Sequence, residues 1–225
     1  KKDYQNIKHH LYGFQNPKKN FSTGDWLKLA NQKILQCRKL NKTPILVGGT
    51  GLYFKALTEG LVNIPKIPIN FRNKVRNLHK SIGQKKFFLK LQEIDPMIKD
   101  QINSLDMQRS LRAYEIKSFT KKSMISWFKN TKSDYDHNDF LKICIDFPRK
   151  DLIERINKRS ENMIKLGAIL EVKKFIKLKV PKNKSLSKAI GISEIKQYLQ
   201  KKIQTEQLIE KISIKTRQYA KRQST

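Results

Sequence analysis

The sequence is short of cysteine and of acidic residues, and it has no long apolar run. Its two cysteines, Cys37 and Cys144, stand far apart along the chain and form neither a metal-binding spacing nor a disulfide framework. No stretch approaches the ~18 consecutive apolar residues that a membrane-spanning helix needs. These scarcities exclude a small disulfide-stapled protein and a protein with transmembrane helices. We expect a reduced, cytoplasmic chain without a membrane partner.

Basic residues greatly outnumber acidic ones. The 225 residues include 49 lysines and arginines against 19 aspartates and glutamates, which gives a formal net charge of +30. A charge of that size attracts polyanions over roughly a Debye length, ~8–10 Å at physiological salt. Lysine outnumbers arginine 39 to 10, so part of the excess fits a generally lysine-rich composition as well as a nucleic-acid-binding surface. The arginines are more informative, because guanidinium groups bind phosphate bidentately.

A glycine turn is the strongest local signal. The apolar residues 45–47 predict a buried strand, and Gly48, Gly49 and Thr50 lead from it into a helix that begins at Gly51. Such a turn can hold an anion, because the first amides of a helix lack partners within the helix and glycines let a phosphate approach the backbone. Paired glycines also serve packing alone, and the turn by itself does not decide between the two roles.

The remaining pattern predicts an α/β protein. Ser22 and Asp25 form a capping-box pair that opens a helix to about residue 40, and Asp106 has the position of another N-cap. Residues 141–147 alternate like a half-buried strand, and residues 151–179 follow a helical period. These elements predict a parallel sheet with flanking helices. We assign residues 1–65 and 103–225 to the core and the lysine-rich helical block 66–102 to a small insertion domain.

Six segments resemble one enzyme family. Residues 46–57, LVGGTGLYFKAL, are similar to the LVGGTxLYFKALLxG segment of the tRNA dimethylallyltransferases, also called tRNA isopentenyltransferases. Any single segment would be weak evidence, but six in the family's order identify the chain as a member. The other five are HHL at 9–11 with the residues up to 22, DMQRSLRAYE at 106–115, RINKR at 155–159 with the residues up to 167, AIG at 189–191, and TRQYAKRQ at 216–223.

The resemblance implies a P-loop-kinase-like fold that binds nucleotide (ATP), with residues 1–65 and 103–225 as the catalytic core. It implies transfer of a dimethylallyl group from its diphosphate to the exocyclic amine of the adenosine beside the tRNA anticodon. It places Thr50 at the reacting centre and Arg159 at the diphosphate, which Gly48, Gly49 and Arg155 are expected to bind as well. Mg²⁺ would assist the diphosphate, and the enzyme would act as a monomer.

The resemblance also implies contacts with the tRNA anticodon stem-loop. Single-stranded loop bases expose their pairing edges to such side chains, and the target base must be extruded before its amine can attack. Ile192 occupies the position at which the family has tyrosine, so the sequence around the turn at residue 191 departs from the family pattern. The residues expected to contact tRNA are Arg72, Gln108, Arg109, Arg112, Gly191, Thr216, Arg217, Lys221 and Arg222.

Two parts of the family pattern do not occur in the 225 residues. The P-loop, GxTxxGK[ST], has no match, and neither has the segment with the general-base Asp. We expect both of them, and the Mg²⁺ ligands, upstream of this chain, which by itself would then be an inactive fragment. The alternative function is a non-catalytic tRNA-binding module, and a more distant one is a nucleotide-kinase-like phosphotransferase. An upstream phosphate loop favours the transferase, and an unrelated upstream domain favours the binding module.

Overall fold

A computed structural model describes residues 7–129 and 131–223 of the chain. These residues form nine α-helices and fold into two compact units. The second unit is Lys55–Phe140, and the first unit comprises the residues before and after it. The helices are α1 (Thr23–Lys39), α2 (Gly51–Thr58), α3 (Ile69–Ile94), α4 (Met107–Thr120), α5 (Met124–Lys129), α6 (Arg149–Lys165), α7 (Ala168–Lys177), α8 (Ile192–Leu199) and α9 (Thr205–Gln223).

Helix α1 begins as the sequence predicts. The backbone N–H of Asp25 donates to Ser22 Oγ at 3.1 Å, and the N–H of Ser22 donates to Asp25 Oδ2 at 2.9 Å. This reciprocal pair satisfies amides that the first turn leaves without partners. Hydrogen bonds from the side chain and the backbone of Ser22 lower the pKa of Asp25 below its ordinary value. Ala30 and Ile34, four residues apart, are the buried face of the helix.

The second unit is built on α3 and α4, which pack against each other. Gly83 has φ +74° and kinks α3, a conformation that glycine adopts without steric cost. The side-chain amide of Gln84, directly after the kink, donates to the Ser104 carbonyl at 2.6 Å and to Ser110 Oγ at 3.1 Å. The unit contains residues 66–102, whose status as an insertion domain stays a prediction. The core of the unit is Ile67, Phe88, Leu91, Ile98, Ile102, Ala113, Ile116 and Met124.

The first unit contains a bundle of the last four helices, in which α6 and α8 pack on α9 and α7 packs on α6 and α8. The helical pattern predicted over residues 151–179 is broken, because Gly167 has φ +102° and separates α6 from α7. Helix α7 contributes Val172 to an apolar core, and Met163 and Ile164 of α6 pack against that core as partly buried side chains. That core is formed by Val172, Ile192, Ile195, Leu208 and Ile212.

The predicted α/β fold with a P-loop-kinase-like parallel sheet is wrong for the residues that the structure describes. They contain no β-strand beyond an isolated bridge at Ile7. Segments 45–47 and 141–147 lack regular structure, and Val47 and Ile145 are 84 % and 85 % exposed. Alternating apolar residues form a strand only where a neighbouring strand takes their hydrogen bonds, and the described residues offer neither segment such a neighbour. None of the described helices is long and apolar enough to cross a membrane.

Candidate functional site

The glycine turn, residues 48–50, lies directly before α2 and is exposed. The Thr50 carbonyl accepts the N–H of Tyr53 at 2.9 Å, which closes the first turn of the helix. The ring of Tyr53 stacks on Trp26 of α1, with centroids 4.5 Å apart and an interplanar angle of 10°. Stacking between such large rings buries both faces and restricts their motion. Helix α1 therefore braces the turn that carries the Thr50 hydroxyl.

Gly49 lies beside the end of the exposed Gln223 side chain, which would have to move aside for a larger residue. A Cβ at Gly49 would lie 2.6 Å from Cδ of Gln223 and 3.2 Å from its Oε1. The amide of Gln223, at the end of α9, therefore occupies the space above the Gly49 backbone. Sequence reasoning missed this placement, because the two residues are distant in the chain and only the fold brings them together.

Arg155 and Arg159 line a cavity of ≈ 530 Å³ between α6 and α7. The guanidinium group of Arg155 also lies over the Phe147 ring, 4.9 Å from its centroid, which limits its orientation. Cationic and apolar side chains meet in this cavity, so it suits a ligand with an anionic head and an apolar tail. Its lining consists of Arg155, Lys158, Arg159, Asn162, Met163, Leu166, Ala168 and Glu171.

The second unit joins two of the predicted tRNA contacts through one buried carboxylate. Arg72 Nε lies 3.2 Å from Glu115 Oε2, and Arg112 Nη1 lies 3.5 Å from the same oxygen. The Glu115 side chain is 3 % exposed, whereas those of Arg72 and Arg112 are 37 % and 41 % exposed. Sequence reasoning missed Glu115 as a functional residue, although its i,i+3 spacing from Arg112 is a signal for such a pair.

The other two predicted contacts on α4 lie at the surface. Asp106 caps the helix as predicted, because its Oδ1 accepts the N–H of Arg109 at 3.0 Å. The Arg109 side chain returns to the same carboxylate, with Nε 3.5 Å from Oδ2, and it is 70 % exposed. Gln108 is also exposed. Both side chains therefore face solvent, where a ligand can reach them.

The turn before α8 is built around Glu194. Gly191 has φ +100°, and its N–H donates to Glu194 Oε2 at 2.9 Å. Glu194 Oε1 accepts the Ser193 hydroxyl at 2.6 Å and pairs with Lys215 Nζ of α9. Burial would raise the pKa of Glu194, but hydrogen bonds from Lys215, from Ser193 and from the N–H groups of Glu194 and Gly191 outweigh it and lower the pKa. The carboxylate thus joins the predicted tRNA-binding turn to the basic helix.

The predicted contacts on α9 differ in exposure. Lys221 and Arg222 are exposed near the end of the helix, whereas Thr216 and Arg217 are half-buried. The Thr216 hydroxyl donates to the carbonyl of Ile212 at 2.7 Å, so its single hydrogen-bond donor is used within the helix.

The predicted site residues are divided between the units. Thr50, Arg155, Arg159, Gly191 and the α9 residues belong to the first unit, and Arg72, Gln108, Arg109 and Arg112 belong to the second. The residues that the structure describes hold no group of three or more His, Cys, Asp or Glu side chains that could bind a metal ion.

Comparison with known proteins decides the family. The model of the IPP transferase family matches residues 1–225. This chain belongs to the IPP transferase family. The family resemblance and the function predicted from it, prenyl transfer to tRNA by a transferase, are confirmed by this match and by the names of the relatives. The roles of individual residues, and the inactivity of this chain by itself, stay predictions.

Named relatives within the IPP transferase family support the assignment. The tRNA dimethylallyltransferase of Pelagibacter ubique is 56 % identical over 225 residues, which are 100 % of this chain and 72 % of the relative. That of Rickettsia massiliae is 40 % identical over 221 residues, which are 97 % of this chain and 61 % of the relative. This chain therefore spans between three fifths and three quarters of the length of these relatives.

Solved structures resemble the fold. The tRNA isopentenylpyrophosphate transferase of Bacillus halodurans is 28 % identical, with a TM-score of 0.60 over 97 % of this chain and 67 % of that one. A eukaryotic dimethylallyltransferase acting on tRNA is 25 % identical, with a TM-score of 0.82 over 97 % of this chain and 55 % of that one. Their names agree with the family assignment.

Proposed function

We propose that the cavity between α6 and α7 binds dimethylallyl diphosphate as the prenyl donor for tRNA. The observation that carries the proposal is the chemistry of its lining, in which Arg155 and Arg159 stand beside the half-buried, apolar Met163 and Ala168, with Glu171 as the one carboxylate. Guanidinium groups bind diphosphate oxygens through paired N–H donors, and a dimethylallyl group gains by leaving water for an apolar wall. Gly48 and Gly49 are proposed to contact the diphosphate from the glycine turn.

The proposed reaction is a substitution at the first carbon of the dimethylallyl group. The exocyclic amine nitrogen of the adenosine bonds to that carbon, the carbon–oxygen bond to diphosphate breaks with its electron pair on oxygen, and the amine loses a proton. Arg155 and Arg159 offset the charge that builds on the departing oxygens. We assign Thr50 to the reacting centre, and we expect the proton to go to the Asp-containing segment of the family pattern. We expect Mg²⁺ to accompany the diphosphate.

For the acceptor, we propose that residues of both units, most of them basic, bind the anticodon stem-loop of tRNA. Contacts to phosphates set the register of the RNA, and contacts to base edges select its sequence. The assigned residues are Arg72, Gln108, Arg109 and Arg112 in the second unit, with Gly191, Thr216, Arg217, Lys221 and Arg222 in the first. We propose that the enzyme acts as a monomer in the cytoplasm.

The test compares Arg159→Ala with Arg149→Ala in the full-length protein. Both arginines belong to α6, and both changes remove one positive charge, but Arg149 lies outside the cavity lining. Transfer of labelled dimethylallyl groups to unmodified tRNA is measured against the concentration of the diphosphate. We expect Arg159→Ala to lower kcat/KM for the diphosphate by ~100-fold, as the loss of one donor to a developing anion does. Arg149→Ala should stay within about twofold of the unmodified protein.

Equal kcat/KM values for the two variants would show that the diphosphate does not bind in this cavity. A folded full-length protein that binds tRNA but transfers no label would favour the non-catalytic tRNA-binding module. The 225-residue chain is assayed beside it, and transfer by that chain alone would contradict the prediction that it is inactive.

A further inference from the structure

The second unit buries a carboxylate that serves two surface arginines. Glu115 lies in α4 between Ala113 and Ile116, both of which are 0 % exposed and belong to the core of the unit. Its Oε2 is 3.2 Å from Arg72 Nε and 3.5 Å from Arg112 Nη1. The arginines come from different helices, α3 and α4, and are 43 and 3 residues from Glu115 in sequence.

The geometry fixes the glutamate more firmly than the arginines. The helix around Glu115 cannot shift without moving Ala113 and Ile116 out of the core, and the Glu115 side chain is 3 % exposed, so close packing limits the positions of the carboxylate. An arginine side chain by contrast has many rotamers, and two guanidinium groups repel each other when they approach. A carboxylate between Arg72 and Arg112 removes that repulsion and selects one orientation of each.

The arrangement leaves donors available on the solvent side. A guanidinium group has five N–H donors, and Glu115 engages one nitrogen of each arginine. More than a third of the Arg72 and Arg112 side chains remains exposed. The three groups together carry a net charge of +1, with the positive parts outward and the negative part buried.

We propose that Glu115 is a positioning residue for RNA recognition, which holds Arg72 and Arg112 as a preformed pair of guanidinium groups for the phosphates of the tRNA substrate. The proposal rests on the proposed function, because it requires that these arginines contact tRNA. Glu115 itself does not contact the RNA. Its contribution is preorganisation, since arginines already held in place lose less conformational freedom when RNA binds.

The test uses Glu115→Gln in the full-length protein, with Glu59→Gln as the matched control. Glu59 is in the same unit, pairs with Lys55 at 3.5 Å, and has a side chain 63 % exposed. Each change removes one negative charge, so electrostatic attraction alone would make both variants bind any RNA more tightly. The dissociation constants are measured for the anticodon stem-loop of the substrate tRNA and for poly-uridine of the same length at one salt concentration.

We expect Glu115→Gln to weaken stem-loop binding about tenfold, because the released arginines no longer match the fixed phosphate spacing of the folded RNA. Poly-uridine is flexible and can adapt to either arrangement of the arginines, so its binding should stay equal or tighten. Glu59→Gln should leave the ratio of the two affinities unchanged. A Glu115→Gln variant that behaves like Glu59→Gln, or that loses affinity for both RNAs equally, would overturn the proposal. Failure of the unmodified protein to bind the stem-loop would instead overturn the proposed function.

A second comparison covers the case in which Glu115→Gln loosens the fold. The same substitution is made in an Arg72→Ala background, where one of the two arginines is already absent. We expect Glu115→Gln to reduce the affinity ratio less in that background than in the unmodified protein, because part of its role has been removed. Fully additive losses would show that Glu115 acts independently of Arg72 and would overturn the proposal.

Discussion

Each unit buries one glutamate beside basic side chains, and the two glutamates are held differently. Glu194 in the first unit accepts hydrogen bonds from a backbone amide and a hydroxyl and pairs with an ammonium group. Glu115 in the second unit contacts two guanidinium groups. Removing Glu194 therefore opens a turn, whereas removing Glu115 releases two side chains. A carboxylate bonded to backbone shapes the local fold, and one bonded to side chains determines where they point.

The largest expected loss of stability concerns the second unit, where the backbone at Gly60 lies in close contact with another segment. It has φ +95°, and a Cβ there would clash with the Lys132 carbonyl and lie 2.8 Å from Ser133 N. The Ser133 hydroxyl donates to the Leu57 carbonyl at 2.7 Å beside this contact. We expect Gly60→Ala to destabilise the unit by roughly 3–4 kcal/mol, from left-handed strain and overpacking together.

The loss is measured from hydrogen exchange of the α4 amides. The control is Gly83→Ala, which has φ +74° but open space around the added methyl group. Its ψ of 167° places it in a region that is essentially restricted to glycine, so backbone strain alone should cost about 1–3 kcal/mol. Equal losses of stability for the two variants would show that the close backbone contact at Gly60 does not contribute to the stability of the second unit.

The next effect compares the two glutamates directly. We expect Glu194→Ala to cost roughly 2–3 kcal/mol, because it leaves a buried amide and a hydroxyl without a charged acceptor. Glu115→Ala should cost about 1 kcal/mol, since water can reach both half-exposed arginines. Hydrogen exchange of the α8 and α9 amides reports on the first variant, and that of the α3 and α4 amides on the second. A larger loss for Glu115→Ala would reverse the distinction between the two carboxylates.

The smallest effect is the pH dependence of the first unit. The folded state lowers the pKa of Glu194 below its ordinary value of 4.5, so the unfolded chain binds this proton more readily. The carboxylate therefore adds stability above the ordinary pKa, and this contribution disappears as the pH falls through the lowered one. Glu194→Gln should flatten the acid side of the stability curve, measured by urea unfolding between pH 7 and pH 3. If the stability curve of Glu194→Gln runs parallel to that of the unmodified protein, this role of Glu194 is contradicted. Asp25, whose pKa is also lowered, keeps part of the slope in both proteins.

The sequence predicts contacts within one helical turn and fails for contacts that the fold creates. The caps at Ser22 and Asp106 were predictable, because each joins residues three positions apart. The contact of Gln223 with Gly49 was not, because it joins distant segments. The strands were predicted wrongly because neither the apolar run at 45–47 nor the alternation at 141–147 describes the neighbouring strand that must complete a sheet. The same limit applies to the pair of Arg72 with Glu115, which are 43 residues apart, whereas the pair of Arg112 with Glu115 lies within one helical turn.

The exposed segment 141–147 has a consequence for keeping the protein in solution. Leu141 and Ile145 are 88 % and 85 % exposed, and the residues that the structure describes place no strand beside this segment, so it offers its hydrogen-bonding groups to other chains. The net charge of +30 opposes such association because copies repel each other. Salt shortens the range of that repulsion to ~3 Å at 1 M. High salt, which releases nucleic acid from so basic a chain, therefore also screens the repulsion between copies that opposes aggregation.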